Sequence, residues 1–124
     1  MPKRVLIADD EPALVISLDF LMRKNGFDTD VARDGEEALA KVDSFRPDLV
    51  LLDLMLPFRS GLDVCRALRS APGFSQLKVI MLTAKGGVTE QQRGLASGAD
   101  AYMVKPFSTQ ELVTQVCAML DCPA

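Results

Sequence analysis

Acidic side chains directly follow two apolar runs of strand length. Asp9 and Asp10 come after the run 5–8, and Asp53 comes after the run 49–52. Carboxylates serve as nucleophiles and as ligands for hard cations such as Mg²⁺. Two carboxylates about 4 Å apart repel each other by roughly 4 kcal/mol at an effective dielectric constant near 20. If these acids lie together, they therefore require a cation, a nearby ammonium group or a captured proton.

A hydroxyl group and an ammonium group occupy equivalent positions later in the chain. Thr83 follows the apolar run 79–82, and Lys105 follows the weaker run 101–104. Both side chains can hold phosphoryl oxygens, and Mg²⁺ can do the same because it uses few carboxylates and keeps coordination positions filled by water. A carboxylate, a divalent cation, a lysine and a hydroxyl are the groups needed to accept a phosphoryl group on an aspartate.

The elements that must position these residues alternate between strands and helices. The runs 5–8, 49–52 and 79–82 are continuously apolar, which is typical of parallel strands buried on both faces. The segments 27–32 and 101–104 contain polar residues, which indicates edge strands. The pattern predicts an α/β fold, a doubly wound five-stranded parallel sheet of order 2-1-3-4-5 in a (βα)5 flavodoxin-like three-layer sandwich.

Helix signals lie between the predicted strands. Pro12 suits a first helical turn, and an apolar stripe runs from there to Asn25-Gly26. Asp34, Ser60 and Ser108 are each followed three residues later by an acid, the spacing of helix N-caps. A poorer helix covers 88–97.

The predicted strand order determines where the reactive residues lie. Ligands of an open parallel sheet bind at the carboxyl ends of its strands, where the winding reverses. The first and third strands are neighbours at that point, so we expect Asp9, Asp10 and Asp53 to converge, with Thr83 and Lys105 on the far rim.

Composition excludes several other classes. The 124 residues include no histidine, which removes Ser-His-Asp and Cys-His nucleophiles and histidine-based zinc sites. Three cysteines without a C-x-x-C pair favour a reducing cytoplasm. The net charge is −3, with no basic stripe for direct nucleic-acid binding or for a membrane surface. The length predicts one domain, 1–124, with no signal peptide or spanning segment.

Six short motifs together resemble the receiver domain of bacterial two-component response regulators, from about residue 3 to residue 120. The motifs are Val5-Leu6-Ile7-Ala8-Asp9-Asp10-Glu11, Asp53-Leu54-Met55-Leu56-Pro57, Gly61-Leu62, Leu82-Thr83-Ala84, Gly98-Ala99-Asp100-Ala101-Tyr102 and Lys105-Pro106-Phe107. The resemblance implies a phosphorylation-controlled, CheY-like switch that catalyses only its own phosphorylation and dephosphorylation. The chain would be a monomer, with dimerisation on phosphorylation as the alternative state.

The same resemblance implies roles for the acidic residues. Asp53 would accept a phosphoryl group from the phosphohistidine of a sensor histidine kinase or a phosphotransfer protein. Asp10 would bind Mg²⁺ directly and Asp9 largely through water, with the backbone carbonyl of Met55 as a further ligand; Mn²⁺ would be a substitute.

The remaining motif residues would convert phosphorylation into a change of shape. Lys105 would pair with the phosphoryl group, and Thr83 would move to hydrogen-bond it. Tyr102 would then rotate inward and alter the face presented to an output domain or a downstream protein. Lys105-Pro106 would be a cis peptide.

Three apolar residues are candidates for partner docking. Ile16 and Phe20 lie four residues apart on the first helix, outside its apolar stripe, and kinase helices dock on that side in the family. Phe58 follows Pro57, where many relatives have glycine.

Two other readings of the same residues remain open. A pseudo-receiver would use the fold as an interaction module and would never be phosphorylated. An aspartate-nucleophile phosphatase would share Asp53, although Asp53-Leu54-Met55 lacks the second acid of its D-x-D motif.

Overall fold

Strands and helices alternate along the described chain, which covers residues 2–74, 76–84 and 88–120 of a computed structural model. The strands are β1 (Arg4–Ala8), β2 (Asp28–Ala32), β3 (Leu49–Asp53), β4 (Lys78–Thr83) and β5 (Ala101–Val104). The helices are α1 (Pro12–Lys24), α2 (Gly35–Phe45), α3 (Gly61–Ser70), α4 (Val88–Ala96) and α5 (Thr109–Leu120).

The five strands form one parallel sheet of order β2-β1-β3-β4-β5, which confirms the predicted fold class and strand order. Burial explains this order. Every residue of β3 is buried, whereas β2 and β5 at the two edges are partly exposed. A continuously apolar strand is stable only where both of its faces are covered, so the apolar runs occupy the centre of the sheet.

Alternation of side chains along the strands divides the core into two layers. Val5, Ile7 and Leu51 pack on the side of α1 and α5, whereas Leu6 and Leu52 pack on the side of α2 and α3. Removing such an aliphatic side chain from water stabilises the fold by about 1.5–3 kcal/mol. The two layers hold the central strands rigidly, and with them the residues at the strand ends.

Local hydrogen bonds fix where the helices begin. The Asp34 carboxylate accepts the Glu37 backbone N–H at 2.8 Å, as the cap spacing predicts. The Glu37 carboxylate in turn accepts the N–H of Arg33 at 2.9 Å, one residue before the cap. The Ser60 hydroxyl caps α3 as predicted, because it accepts the Asp63 N–H at 3.2 Å. Before α5, the Ser108 hydroxyl accepts the Glu111 N–H at 3.4 Å. None of the described helices is long and apolar enough to span a membrane.

Candidate functional site

The register of the two central strands brings Asp9 and Asp53 together. Ala8 pairs with Leu52, so the residues that follow them, Asp9 and Asp53, lie side by side. Asp9 and Asp53 are both buried, with 1% and 5% of their surface exposed, and Asp10 is exposed. One carboxylate oxygen of each of the three acids lies within 4.8 Å of the others. The cluster expected at this edge of the sheet is therefore present.

Lys105 supplies the positive charge beside this cluster. Its Nζ lies 3.0 Å from Asp9 Oδ2 and 3.6 Å from Asp53 Oδ1. Burial by itself would lower the pKa of Lys105, but the hydrogen bond to Asp9 and the attraction of Asp53 outweigh burial and raise that pKa above its ordinary value. The ammonium group is thus held in its charged form between the two buried acids.

Asp53 remains electrostatically strained despite this neighbour. Burial raises the pKa of its carboxyl group, and the negative charge of Asp9 raises it further. Lys105 and the backbone N–H of Met55, which donates to Asp53 Oδ1 at 3.3 Å, offset part of that increase. The net pKa still lies above the ordinary value of 3.8. A second positive charge at this position would stabilise the carboxylate form.

The donor set fits Mg²⁺. The three acids offer hard oxygen ligands, and the raised pKa of Asp53 marks a place where negative charge is under-compensated. Met55 is exposed and follows Asp53 by two residues. Asp9 is constrained separately, because its Oδ1 accepts the Glu11 backbone N–H at 2.9 Å.

Gly61 allows α3 to begin directly against the backbone of Asp53. A Cβ at Gly61 would lie 2.4 Å from the Asp53 carbonyl oxygen, closer than real Cβ contacts come. The Gly61 N–H donates to the Leu54 carbonyl at 2.8 Å, and the Leu54 N–H donates to the Leu82 carbonyl at 2.8 Å. The sequence shows the glycine after a serine cap but assigns it no role, because the close approach depends on the path of β3.

Thr83 and Tyr102 lie on the β4–β5 side of the cluster. Thr83 is fully buried at the end of β4, and its carbonyl accepts the Lys105 N–H at 2.7 Å. Tyr102 is half-buried on β5, opposite Met81, with its ring against Gly94 of α4. The peptide bond between Lys105 and Pro106 is cis. The hydroxyl residue and the lysine therefore share a backbone connection, while Tyr102 contacts α4.

The three apolar docking candidates are exposed, and they lie on different elements. Ile16 and Phe20 are 70% and 68% exposed on α1, and with Asp19, Arg23 and Lys24 they line an open groove of about 660 Å³. Phe58 is 84% exposed in the loop between β3 and α3, and its backbone is left-handed with φ of 68°. Only glycine adopts that conformation without a steric cost, about 1–2 kcal/mol for other residues.

The structure thus combines a doubly wound parallel sheet with clustered acids and a lysine at its carboxyl edge. The sequence model of the response regulator receiver domain matches residues 5–117. The chain belongs to that family, as its motifs predict, and so to the receiver domains of two-component response regulators, which are signalling proteins rather than classical enzymes.

Individual relatives agree with this assignment. The chain is 50% identical over 120 residues to the DNA-binding response regulator MtrA of Mycolicibacterium smegmatis, covering 97% of this chain and 51% of that protein. It is 46% identical over 120 residues to the phosphate regulon transcriptional regulatory protein PhoB of Rhizobium meliloti, covering 97% and 53%. The chain thus spans about half the length of these curated relatives.

Solved structures show the same fold. A CheY-like response regulator receiver domain protein of Methanospirillum hungatei superposes with a TM-score of 0.90 at 29% identity, covering 98% of this chain and 95% of that one.

Proposed function

We propose that Asp53 is the phosphoacceptor of a receiver domain, residues 1–124, that takes its phosphoryl group from the phosphohistidine of a sensor histidine kinase or a phosphotransfer protein. The convergence of Asp53 with Asp9, Asp10 and Lys105 at the edge of the sheet carries this proposal. Because the chain has no histidine, the donor imidazole must lie on the partner.

In the proposed transfer, a carboxylate oxygen of Asp53 attacks the phosphorus atom. The P–O bond to Asp53 forms as the P–N bond to the donor breaks, and the departing imidazole nitrogen keeps the bonding pair. The raised pKa of Asp53 makes its carboxylate a more basic nucleophile than an ordinary aspartate. Mg²⁺, held by Asp9, Asp10, Asp53 and the Met55 carbonyl, would neutralise charge on the phosphoryl oxygens when bound, and Mn²⁺ would substitute.

Lys105 and Thr83 would hold the transferred group. The Lys105 ammonium already faces Asp53 at 3.6 Å, so it is within reach of oxygens added to that carboxylate. Thr83 lies on the adjacent strand end and is joined through its carbonyl to the Lys105 N–H. A hydroxyl that moves toward the new oxygens would change packing near β5, where Tyr102 lies against α4. We propose this change as the switch.

The partners follow from the same chemistry. The relatives are named as DNA-binding or transcriptional regulators, so we propose that phosphorylation here controls a DNA-binding output region or a downstream protein, with no direct nucleic-acid contact by these residues. We place the domain in the cytoplasm, as a monomer that is able to dimerise on phosphorylation. Ile16, Phe20 and Phe58 are the proposed docking residues.

Incubation with acetyl phosphate and Mg²⁺, followed by intact-mass measurement, tests the phosphoacceptor. The wild-type chain should gain the mass of one phosphoryl group, in a form that hydroxylamine removes and that does not appear when the metal is chelated. Asp53→Asn should gain nothing, whereas Asp28→Asn, an exposed acid on the edge strand, should behave as wild type. An unmodified wild-type chain would favour the pseudo-receiver, and turnover of many phosphate esters would favour the phosphatase.

A further inference from the structure

Within the described residues, β2 has a neighbouring strand on one side only. The Asp28 N–H and the Ala32 carbonyl both form 3.0 Å bonds to the β1 side. Because successive residues of a strand direct their backbone groups to opposite sides, Thr29 and Val31 direct theirs away from β1. Where outward backbone groups of an edge strand are left unpaired, they are a template for pairing with another chain.

Charged side chains form hydrogen bonds with the outward-facing backbone groups at the centre of this edge. The Val31 N–H donates to Asp30 Oδ1 at 2.8 Å, and the Val31 carbonyl accepts from Lys41 Nζ at 2.6 Å. Lys41 also pairs with Asp30 at 3.0 Å, and beyond the strand the Arg33 N–H is taken by Glu37. Both backbone groups that a partner strand would need at Val31 are therefore already used.

This arrangement is not required for the backbone groups to be satisfied, since water reaches an open edge. Lys41 lies on α2, and its side chain crosses the edge to contact β2 at a cost in side-chain freedom. The ion pair with Asp30 is partly exposed, and partly exposed pairs contribute little to stability. The distinctive consequence of the contact is that it occupies the Val31 carbonyl and so excludes a further strand there.

We infer that Lys41 and Asp30 close the β2 edge against a second copy of this chain. A second copy is the occupant that the edge fits, because a two-fold axis beside β2 places identical outward groups face to face in antiparallel order. An axis at Val31 sets Val31 opposite itself and Thr29 opposite Arg33, and the like-charged pair of Asp28 with Asp34 falls at the ends of the paired segment. While Lys41 binds the Val31 carbonyl, that pairing lacks the acceptor at its centre.

Sedimentation velocity over a series of protein concentrations tests the inference. Lys41→Met removes the ammonium group and keeps the length of the side chain, and Asp30→Ala removes the other half of the cover. Lys41→Met should form dimers whose fraction rises with concentration beyond that of the wild type. Asp30→Ala, which frees the Val31 N–H but leaves Lys41 on the Val31 carbonyl, should show a smaller rise. Lys41→Arg keeps a donor and should match the wild type. Arg66→Met, which removes an exposed charge on α3, should also match it.

Amide hydrogen exchange then locates the contact. In dimers formed through this edge, the Thr29 and Val31 amides should become protected as concentration rises. If Lys41→Met fails to fold, Asp30→Ala carries the same test. Folded variants that sediment as the wild type at every concentration would overturn the inference, and so would dimers that leave the β2 amides unprotected.

Discussion

Asp53 carries a negative charge at a position where burial and Asp9 both disfavour it. The ordinary expectation for a buried carboxylate is a compensating pair, and Lys105 divides its ammonium group between Asp9 and Asp53, at the shorter distance from Asp9. Lys105 therefore compensates only part of the negative charge of the acids. That residual negative charge is what a divalent cation would compensate in the proposed function.

The pKa shift predicts how Asp53→Asn changes stability. A carboxyl group whose pKa is raised on folding stabilises the fold while it is protonated, and that contribution is lost as pH rises above the unfolded pKa, about 3.9, through the folded pKa. Without divalent metal, Asp53→Asn should therefore unfold at a higher temperature than the wild type at neutral pH, by a few degrees. The difference should vanish below the unfolded pKa.

Thermal unfolding in a chelator across this pH range measures the effect. Added Mg²⁺ should narrow the gap at neutral pH, because it stabilises the wild-type carboxylate by binding the folded state. Asp28→Asn, which changes an exposed acid, should show no comparable pH dependence. A less stable Asp53→Asn variant at neutral pH would mean that Lys105 over-compensates the charge, contrary to the raised pKa.

The acids could be located from the sequence, whereas the backbone geometry at Gly61 and Phe58 could not. Asp9 and Asp53 each end a buried apolar run, and the carboxyl ends of adjacent parallel strands share one edge. Gly61 and Phe58 depend instead on the exact path of the chain after β3. Neither the contact of Gly61 with Asp53 nor the left-handed φ of Phe58 is encoded in periodicity.

The elements follow the predicted pattern closely, and their boundaries shift where side chains or turns intervene. The second strand begins at Asp28 rather than Phe27, because the Phe27 N–H donates to the Met22 carbonyl at 3.1 Å and so closes the end of α1. Gly26 takes the left-handed conformation, φ 88°, that this helix termination requires. Asn25-Gly26 therefore marks the end of the helix correctly, but the first residue after it belongs to the turn.

Arg69 joins elements that are distant in sequence. From the end of α3 its guanidinium donates to the carbonyl oxygens of Leu77 at 2.6 Å and Gly98 at 2.8 Å, and it pairs with Asp100 at 2.9 Å. The Asp100 carboxylate also accepts the Val79 N–H at 2.8 Å. The sequence gives no signal for these contacts of a helical arginine, because their acceptors are mostly backbone atoms.

Replacing Arg69 by methionine should destabilise the fold by about 2–3 kcal/mol, because it leaves partly buried acceptors without their charged donor. Denaturant unfolding measures this loss. Arg66→Met is the matched control: Arg66 is exposed and 3.9 Å from Asp63, so its removal should cost less than about 1 kcal/mol. Equal effects of the two substitutions would show that the Arg69 contacts do not join α3 to β4 and β5.

At the scale of the whole molecule, the acidic edge and the exposed apolar pair on α1 would both contact the proposed phosphoryl donor. In the proposed function, a phosphohistidine has to approach Asp53 closely, and the helix that would carry it needs a surface to bind. Ile16 and Phe20 provide apolar surface in a groove whose charged rim includes Asp19 and Arg23. Their exposure means that substituting them should leave the fold intact, so an effect on transfer can be attributed to docking.

Ile16→Ser combined with Phe20→Ser should therefore slow phosphoryl transfer from a kinase that phosphorylates the wild-type chain by about tenfold or more, since a loss of about 1.4 kcal/mol of binding free energy is a factor of ten. Acetyl phosphate needs no docking surface, so its rate with the double variant should equal the wild-type rate. Leu95→Ser, an exposed apolar residue on α4, should leave both rates unchanged. Equal slowing with the kinase and with acetyl phosphate would instead place the defect at Asp53 itself, and unchanged transfer from the kinase would move docking to another surface, with Phe58 beside the acceptor strand as the next residue to substitute.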